Sequence, residues 1–387
     1  MSEYAVDDSK LLSLVQNLIS VESVNPSLVE GGSGESRIAH LIGTHLERIG
    51  LEVQYQSVDE GRENVIGVLK GDGGGRTLML NGHTDTVSTA GMDIEPFEPV
   101  FQNGKVYGRG AFDMKGSLAA MLVAVESIAS SGTSLNGNVV LAFVADEEYA
   151  SLGTEEVIKE HSADAAIVTE PTSLHVVIAH RGYAWAKVEV FGKAAHGSRF
   201  DEGVDAITKA GRVLVALEDL ESQFQNQDHH PLLGRPSVHA SLIRGGVELS
   251  TYPDYCRIDL ERRTLPEEGA ETIQTELAGL VNNLASADDQ FRATSEVFFY
   301  RPSLEVPEDL EIVDHLSEAC QVVTGAKPEL LGAGWWTDAA LLAQSGIPSV
   351  LFGPSGEGAH SPIEYVDFES LVTTTKVLAE VITSFCQ

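Results

Sequence analysis

Apolar residues recur at helical spacing in two early stretches. Residues 8–20 place Leu11, Leu14, Leu18 and Ile19 on one face, and residues 36–49 do the same with Ile38, Leu41, Ile42, Leu46 and Ile49. Gly50 stands where a helix terminator belongs. Short apolar runs then appear at 77–80 (TLML), 139–145 (VVLAFVA), 165–169 (AAIVT) and 348–352 (PSVLF). Between them, residues 116–130 set Leu118, Leu122, Val125 and Ile128 on one helical face, and a last helix is predicted from about 367 to 385. Short β-rich runs separated by helices predict an α/β domain, built on a mainly parallel, buried sheet with helices on both faces.

The middle of the chain has a different period. Residues 183–191 (YAWAKVEVF) and 254–262 (DYCRIDLER) alternate, as half-exposed strands do. A helix near 203–221, a strand near 237–243, a helix near 269–285 and a strand near 292–299 complete the order β-α-β-β-α-β. That order is a ferredoxin-like sandwich. Residues 180–297 are therefore expected to form a small domain inserted into the larger one, which comprises 1–179 and 298–387. The loop 222–236 is polar and carries two prolines.

Composition narrows the setting. A length of 387 residues, 43% of them apolar, suits two domains with ample core material. No apolar run reaches the ~20 residues a membrane helix needs, and the start of the chain, MSEYAVDDSK, is acidic where a secretory leader would be basic. Three cysteines (Cys256, Cys320, Cys386), odd in number and far apart, point to a reducing cytoplasm and to core positions. A net charge of −33 repels nucleic acid and anionic membranes. It fits a highly soluble protein or a salt-loving source. It also means that an anionic substrate would need a local cation to receive it.

Five segments carry candidate chemistry. Four follow apolar runs: NGHTDTV with His83 and Asp85, ADEEYAS with Glu147 and Glu148, TEPTS with Glu170, and FGPSGEGAHSP with His360. The fifth, GRGAFDMKG, places Asp113 just before a helix. In open α/β sheets the ligand crevice lies at the carboxyl ends of the strands, so these residues are expected near one another. Singly, each has an ordinary structural reading: a capping His, a solvated Glu pair, an Asp capping the next helix. Together, two histidines and several carboxylates form an oxygen/nitrogen ligand set suited to zinc, cobalt or manganese. A two-ion site is the reading their convergence supports.

The ordered motifs GHTDTV, GRGAFDMKG, ADEE, TEPT, AAHGS, ERRTLP and GAHSPIEYV resemble those of the acetylornithine deacetylase, succinyl-diaminopimelate desuccinylase, aminoacylase and glutamate carboxypeptidase family of dinuclear metallopeptidases. The resemblance runs from about residue 10 to the C-terminus. It implies that His83 and Glu170 hold one ion, Glu148 and His360 the other, and that Asp113 bridges both and precedes a cis peptide. It implies further that Asp85 supports His83, and that Glu147 is the general base and acid. His196 would reach the substrate carbonyl, often from the partner subunit of a homodimer, and Arg263 would receive a substrate carboxylate. The inserted domain would then be a lid and dimerisation domain.

Three positions depart from the usual pattern. Ser250, in GGVELSTYPD, stands where many members carry Asn. HGSRFDEG lacks a proline that often follows the lid histidine, and GAGWWTDA contains a Trp335–Trp336 pair. Arg262 adjoins Arg263, and on an alternating strand only one of the two can face a cleft. His229 and His230 read as solvated loop residues, and His40, His45, His161 and His315 as surface residues on or near helices. His180, at the edge of the inserted domain, is left open and His239 receives no role. GDGGG at 71–75 is expected to be a turn, since it lacks the ending of a phosphate loop.

The resemblance implies a cytoplasmic hydrolase that deacylates N-acyl amino acids. The alternative is a metallo-exopeptidase of the carboxypeptidase or dipeptidase type, taking a short peptide. A metal-binding scaffold without catalysis is a third reading, and an intact Glu147 beside every ligand argues against it.

Overall fold

The computed structural model describes residues 6–226 and 229–387. The first five residues of the acidic start, and Gln227 and Asp228 of the polar loop, lie outside the described residues. In chain order the principal elements are α1 (Asp8–Ile19), α2 (Ser36–Arg48), β1 (Glu52–Asp59), β2 (Arg62–Leu69), β3 (Leu78–His83), α3 (Gly116–Ser131) and β4 (Val139–Val144). There follow α4 (Leu152–Glu160), β5 (Ala165–Val168), β6 (Val176–His180), β7 (Gly182–Phe191), α5 (Ala206–Phe224), β8 (Ser237–Gly245), β9 (Tyr255–Thr264), α6 (Ala270–Ala287) and β10 (Arg292–Arg301). The chain ends through α7 (Glu311–Thr324), β11 (Ser349–Leu351), β12 (Tyr365–Asp367) and α8 (Phe368–Phe385). It divides into two compact units, one of residues 1–178, 306–331 and 337–387 and one of 179–305 and 332–336. The second runs past the expected limit of residue 297: β10 continues its ladder to Arg301, and residues 302–305 and 332–336 also belong to it.

In the first unit the sheet order is β1-β2-β4-β3-β5-β11-β6. The four strands β4, β3, β5 and β11 run parallel, whereas β1, β2 and β6 are antiparallel to their neighbours. The sheet is thus mixed, which corrects the mainly parallel expectation. The physical reason lies in a tight hairpin: Gly61, at φ +71°, turns β1 straight back into β2, a connection that only antiparallel strands can use. Every residue of β3 and β4 is buried, as strands covered on both faces must be. Helix α3 is buried along most of its length, packed on α1 and α8. Asp7 caps α1 by accepting the N–H groups of Ser9 and Lys10. Gly50, at φ +87°, follows the end of α2 as the sequence suggested.

The second unit has the order β7-α5-β8-β9-α6-β10, and its antiparallel sheet runs β8-β9-β7-β10. Alternate residues build its core: Ala184, Ala186, Val188 and Val190 from β7, and Cys256, Ile258 and Leu260 from β9. Ala210, Val213 and Leu217 of α5 and Ile273, Leu277 and Val281 of α6 cover them. Arg262 continues the inward register of β9 and is buried, held by Glu268 at 2.6 Å and Glu276 at 3.2 Å. Arg263 takes the opposite face. The period that left two arginines open thus makes Arg262 a structural residue.

Two histidine assignments change. His230 is no solvated loop residue: its Nε2 bonds Glu305 at 2.9 Å, and its Nδ1 accepts the N–H groups of Leu232 and Leu233. His45 is largely covered and meets the buried Glu126 at 3.2 Å. The three cysteines are buried and unpaired. Among the described residues, no helix is long and apolar enough to cross a membrane.

Candidate active site

The first unit gathers the chemistry at one edge of its sheet. Because β3, β4, β5 and β11 are parallel, their carboxyl ends share that edge. His83 ends β3, Glu147 and Glu148 follow β4, Glu170 follows β5, and His360 lies on the segment after β11. Asp113 does not cap α3. It sits in a wide turn, Ala111–Lys115, entered through Gly110 at φ +79°, and a cis peptide joins it to Met114.

The distances define two groups that share one residue. Asp113 Oδ1 is 2.9 Å from His83 Nε2, and Asp113 Oδ2 is 3.3 Å from His360 Nε2. Glu170 lies 3.8 Å from His83 Nε2, and Glu148 lies 3.0 Å from His360 Nε2. Within each triad, His83–Asp113–Glu170 and Asp113–Glu148–His360, the donor atoms fall within 4.8 Å of one another. Each triad offers one imidazole and two carboxylates, a set suited to zinc or a similar divalent ion.

The tautomer of His83 fits the same use. Its Nδ1 lies 3.0 Å from the main-chain oxygen of Asp85, which can only accept, so Nδ1 carries a proton. Against the effect of burial, the surrounding carboxylates raise the ring well above its ordinary pKa, so Nε2 is also protonated and donates to Asp113. Only on losing that proton would Nε2 offer a lone pair toward Asp113 and Glu170. The Asp85 carboxylate, at 3.5 Å from that nitrogen, is occupied elsewhere. It accepts the N–H groups of Glu147 and Glu148, each at 3.2 Å, and the Asn25 amide at 2.8 Å. Asp85 therefore holds the Glu147–Glu148 backbone as well as His83.

With protons as the only counter-charges, crowding of carboxylates disturbs every group here. Burial, then the neighbouring Glu170, holds the Glu147 carboxyl well above its usual range. Burial and Asp113 push Glu148 up to about 7, and burial with the charge of Asp113 pushes Glu170 up to about 8. Asp113 is buried too, yet hydrogen bonds from His360 and His83 hold it below the ordinary carboxylate range. Its bond with Asp113, and that with Glu148, raise His360 to about 10. Four carboxylates around two imidazoles form an electrostatic trap for cationic charge.

Residues 79–384 match peptidase family M20/M25/M40. The chain belongs to this family. It is accordingly a hydrolase of amide bonds. It is 33% identical over 351 residues to acetylornithine deacetylase of Myxococcus xanthus, covering 88% of this chain and 90% of that protein. Over 412 aligned positions it is 29% identical to N-formyl-4-amino-5-aminomethyl-2-methylpyrimidine deformylase of Bacillus subtilis (strain 168), covering 97% of this chain and 95% of the relative. Among solved structures, a dinuclear metal binding peptidase of the M20 family from Bacillus subtilis has the same fold, with a TM-score of 0.76, 18% identity and 98% of each chain covered.

The remaining sequence candidates, His196, Ser250 and Arg263, lie in the second unit. His196 is exposed in the loop after β7, with Nδ1 bonded to the Ser198 hydroxyl at 2.8 Å. Its strand-like bridge to Thr251, and the bond from Gly197 N–H to the main-chain oxygen of Ser250 at 2.7 Å, bring His196 and Ser250 into neighbouring loops. Arg263 is half-buried on β9, 2.7 Å from Glu261 and with its guanidinium 5.2 Å from the Tyr183 ring centre. Of the Trp pair, Trp336 is buried and donates to the Pro302 carbonyl at 2.8 Å, while Trp335 is exposed.

Sequence reasoning missed the buried groups behind the first unit's cluster. Arg62, 3% exposed, joins Glu35 and Asp146, both wholly buried, and Asn25 links Asp146 to Asp85. Arg109 and Glu364 form a second buried pair at 2.7 Å. Glu364 lies within the motif GAHSPIEYV, but nothing in the spacing marks it. Asn25 and Arg62 come from stretches with no motif at all.

Proposed function

We propose that this protein is a two-ion deacylase of N-acyl amino acids. One observation carries the proposal: the two oxygens of Asp113 face different histidines, each accompanied by one further carboxylate. His83 and Glu170 would hold one ion, Glu148 and His360 the other, and Asp113 both; zinc suits the donors best, with cobalt or manganese as substitutes. Bound there, a pair of divalent ions supplies a water of lowered pKa and polarises the amide carbonyl.

The residues then divide the remaining work. Glu147 takes the proton of the attacking water and gives it to the departing amine nitrogen. Burial raises the Glu147 carboxyl above its usual range, which favours its taking a proton and later giving it up. Asp85 orients Glu147 through the backbone bond just described. In the second unit, His196 would donate to the developing oxyanion and Arg263 would receive the substrate carboxylate, with Ser250 beside His196. Arg263 is the better candidate of the arginine pair, because Arg262 is spent on Glu268 and Glu276.

The acyl amino acid reading is supported by the 33% identity to an acetylornithine deacetylase. A metallo-exopeptidase acting on short peptides uses the same ligands and is the second reading, supported by the peptidase family and the fold neighbour. We further assign the protein to the cytoplasm, consistent with its three unpaired, buried cysteines. We take it as a homodimer through the second unit, where β8 forms an open edge with Leu242 and Ile243 exposed. A hydrolysis screen of N-acetyl and N-succinyl amino acids and dipeptides, with zinc, cobalt or manganese added, tests the proposal. Turnover of acyl amino acids that chelation abolishes is expected. Turnover of dipeptides alone would establish the exopeptidase reading instead.

A further inference from the structure

Glu364 is wholly buried and lies four residues after His360. Its carboxylate takes four donors. Oε2 accepts from the Arg109 guanidinium at 2.7 Å and from Gly110 N–H at 3.0 Å; Oε1 accepts from Phe112 N–H at 3.0 Å and Asp113 N–H at 3.1 Å. Three of the four belong to the backbone of the turn that presents Asp113. The main-chain oxygen of Glu364 accepts a further bond, from Gly108 N–H at 3.2 Å. Arg109 reaches in two other directions, to the carbonyls of Ser88 at 3.0 Å and Ser361 at 3.4 Å.

These bonds join three segments. One carries His83 and Asp85 and continues to Ser88, one carries Asp113, and one carries His360. The pair itself bonds none of the ligand side chains, and with four donors satisfied Glu364 has little capacity left for a substrate. We infer that Glu364, braced by Arg109, is a positioning residue that sets the affinity of both ion sites in common, by fixing the backbone of Asp113 between the two histidines. The inference rests on the two-ion reading proposed above.

The chemistry makes it specific. A glutamine at 364 has the same shape but a single acceptor oxygen, so its amide N–H₂ must confront two of the four donors. The turn then loses part of its grip, and Asp113, which serves both triads, transmits the loss to both. A residue behind one histidine alone would weaken one ion. A purely structural contact would lower stability and leave both affinities unchanged.

The test uses the whole chain, stripped by chelation and titrated with cobalt(II), with binding followed by absorbance and calorimetry and folding by circular dichroism. Glu364→Gln leaves Arg109 buried without its partner, so a Glu364→Gln/Arg109→Gln variant, which removes that imbalance, is titrated alongside. Wild type should bind two ions at the cluster. In the folded variants both dissociation constants should rise together by about 10–100-fold, the usual effect of losing a partner that supports metal ligands. Wild-type affinity for either ion in a folded variant would overturn the inference, as would failure of both variants to fold, which would make the pair a folding element. Fewer than two ions on the wild-type chain would instead bring down the two-ion reading beneath it.

Discussion

Replacing Arg62 by Met should cost the first unit about 3–5 kcal/mol of stability at neutral pH, the range for removing one partner of a buried ion pair. Arg62 is 3% exposed, and its Nε donates to Glu35 at 2.9 Å, with a second, shorter bond to the other Glu35 oxygen. Another nitrogen donates to Asp146 at 2.8 Å and to the Ser27 hydroxyl at 3.0 Å. Methionine keeps most of the aliphatic volume, so the loss is electrostatic: two wholly buried carboxylates are left without their cation. Burial already raises the Glu35 carboxyl even with Arg62 beside it, and without Arg62 it rises further. An acid whose folded pKa exceeds its unfolded value stabilises the fold fully below the unfolded pKa, and loses that contribution as pH climbs through the folded one. The variant's deficit should therefore be smaller at pH 5 than at pH 7. Hydrogen exchange of the β2 and β3 amides in metal-free protein measures the local unfolding free energy without assuming one transition for both units. A deficit below about 1 kcal/mol at pH 7, well under the range for a broken buried pair, or an equal deficit at both pH values, would show that Glu35 and Asp146 do not depend on Arg62 for their charge balance.

Three further outcomes are expected. Glu147→Gln should lower kcat at least ~100-fold while ion content, read by atomic absorption, stays at the wild-type level, since the range for general acid–base catalysis is 10²–10⁴-fold; near-normal turnover would assign proton transfer to another group. Arg263→Ala should raise KM for an acyl amino acid far more than for its neutral amide, and equal changes would remove Arg263 from carboxylate recognition. His196→Ala should keep fold and ions yet lower kcat by about 10²–10³-fold, as loss of an oxyanion donor does; an unchanged kcat would leave His196 as an ordinary loop residue.

Much of this molecule was legible because its signals are local. Buried runs such as VVLAFVA and helices such as 116–130 repeat at their structural period, so β4 and α3 emerge within a residue or two of expectation. The proposed ligands are legible for a related reason: a His or carboxylate directly after a buried strand can hardly be elsewhere than at the sheet's carboxyl edge. What the pattern did not reveal depends on contacts distant in sequence. Of the β1–β2 hairpin, β1 is half-exposed and of mixed polarity, and β2, though largely buried, shows its antiparallel pairing only through the turn at Gly61, so the antiparallel part of the sheet is not legible from the pattern. Arg62 meets Glu35 and Asp146 across 27 and 84 residues, and Arg109 meets Glu364 across 255. Charged residues of this kind read as surface in any local window, and only the fold reveals that they are buried and paired. Asp85 shows the same limit at shorter range. Its place beside His83 was legible, but its grip on the Glu147 and Glu148 backbone required the structure.

Anomalous scattering from crystals soaked in zinc at neutral pH, measured across the zinc edge, would locate the paired ion site around Asp113. Neutral pH matters because His83 and His360 must give up their protons to bind. Two peaks about 3.5–4 Å apart are expected, one against His83 and Glu170, the other against Glu148 and His360, with an Asp113 oxygen on each. A single peak, or none at this cluster with zinc in excess, would contradict the paired site.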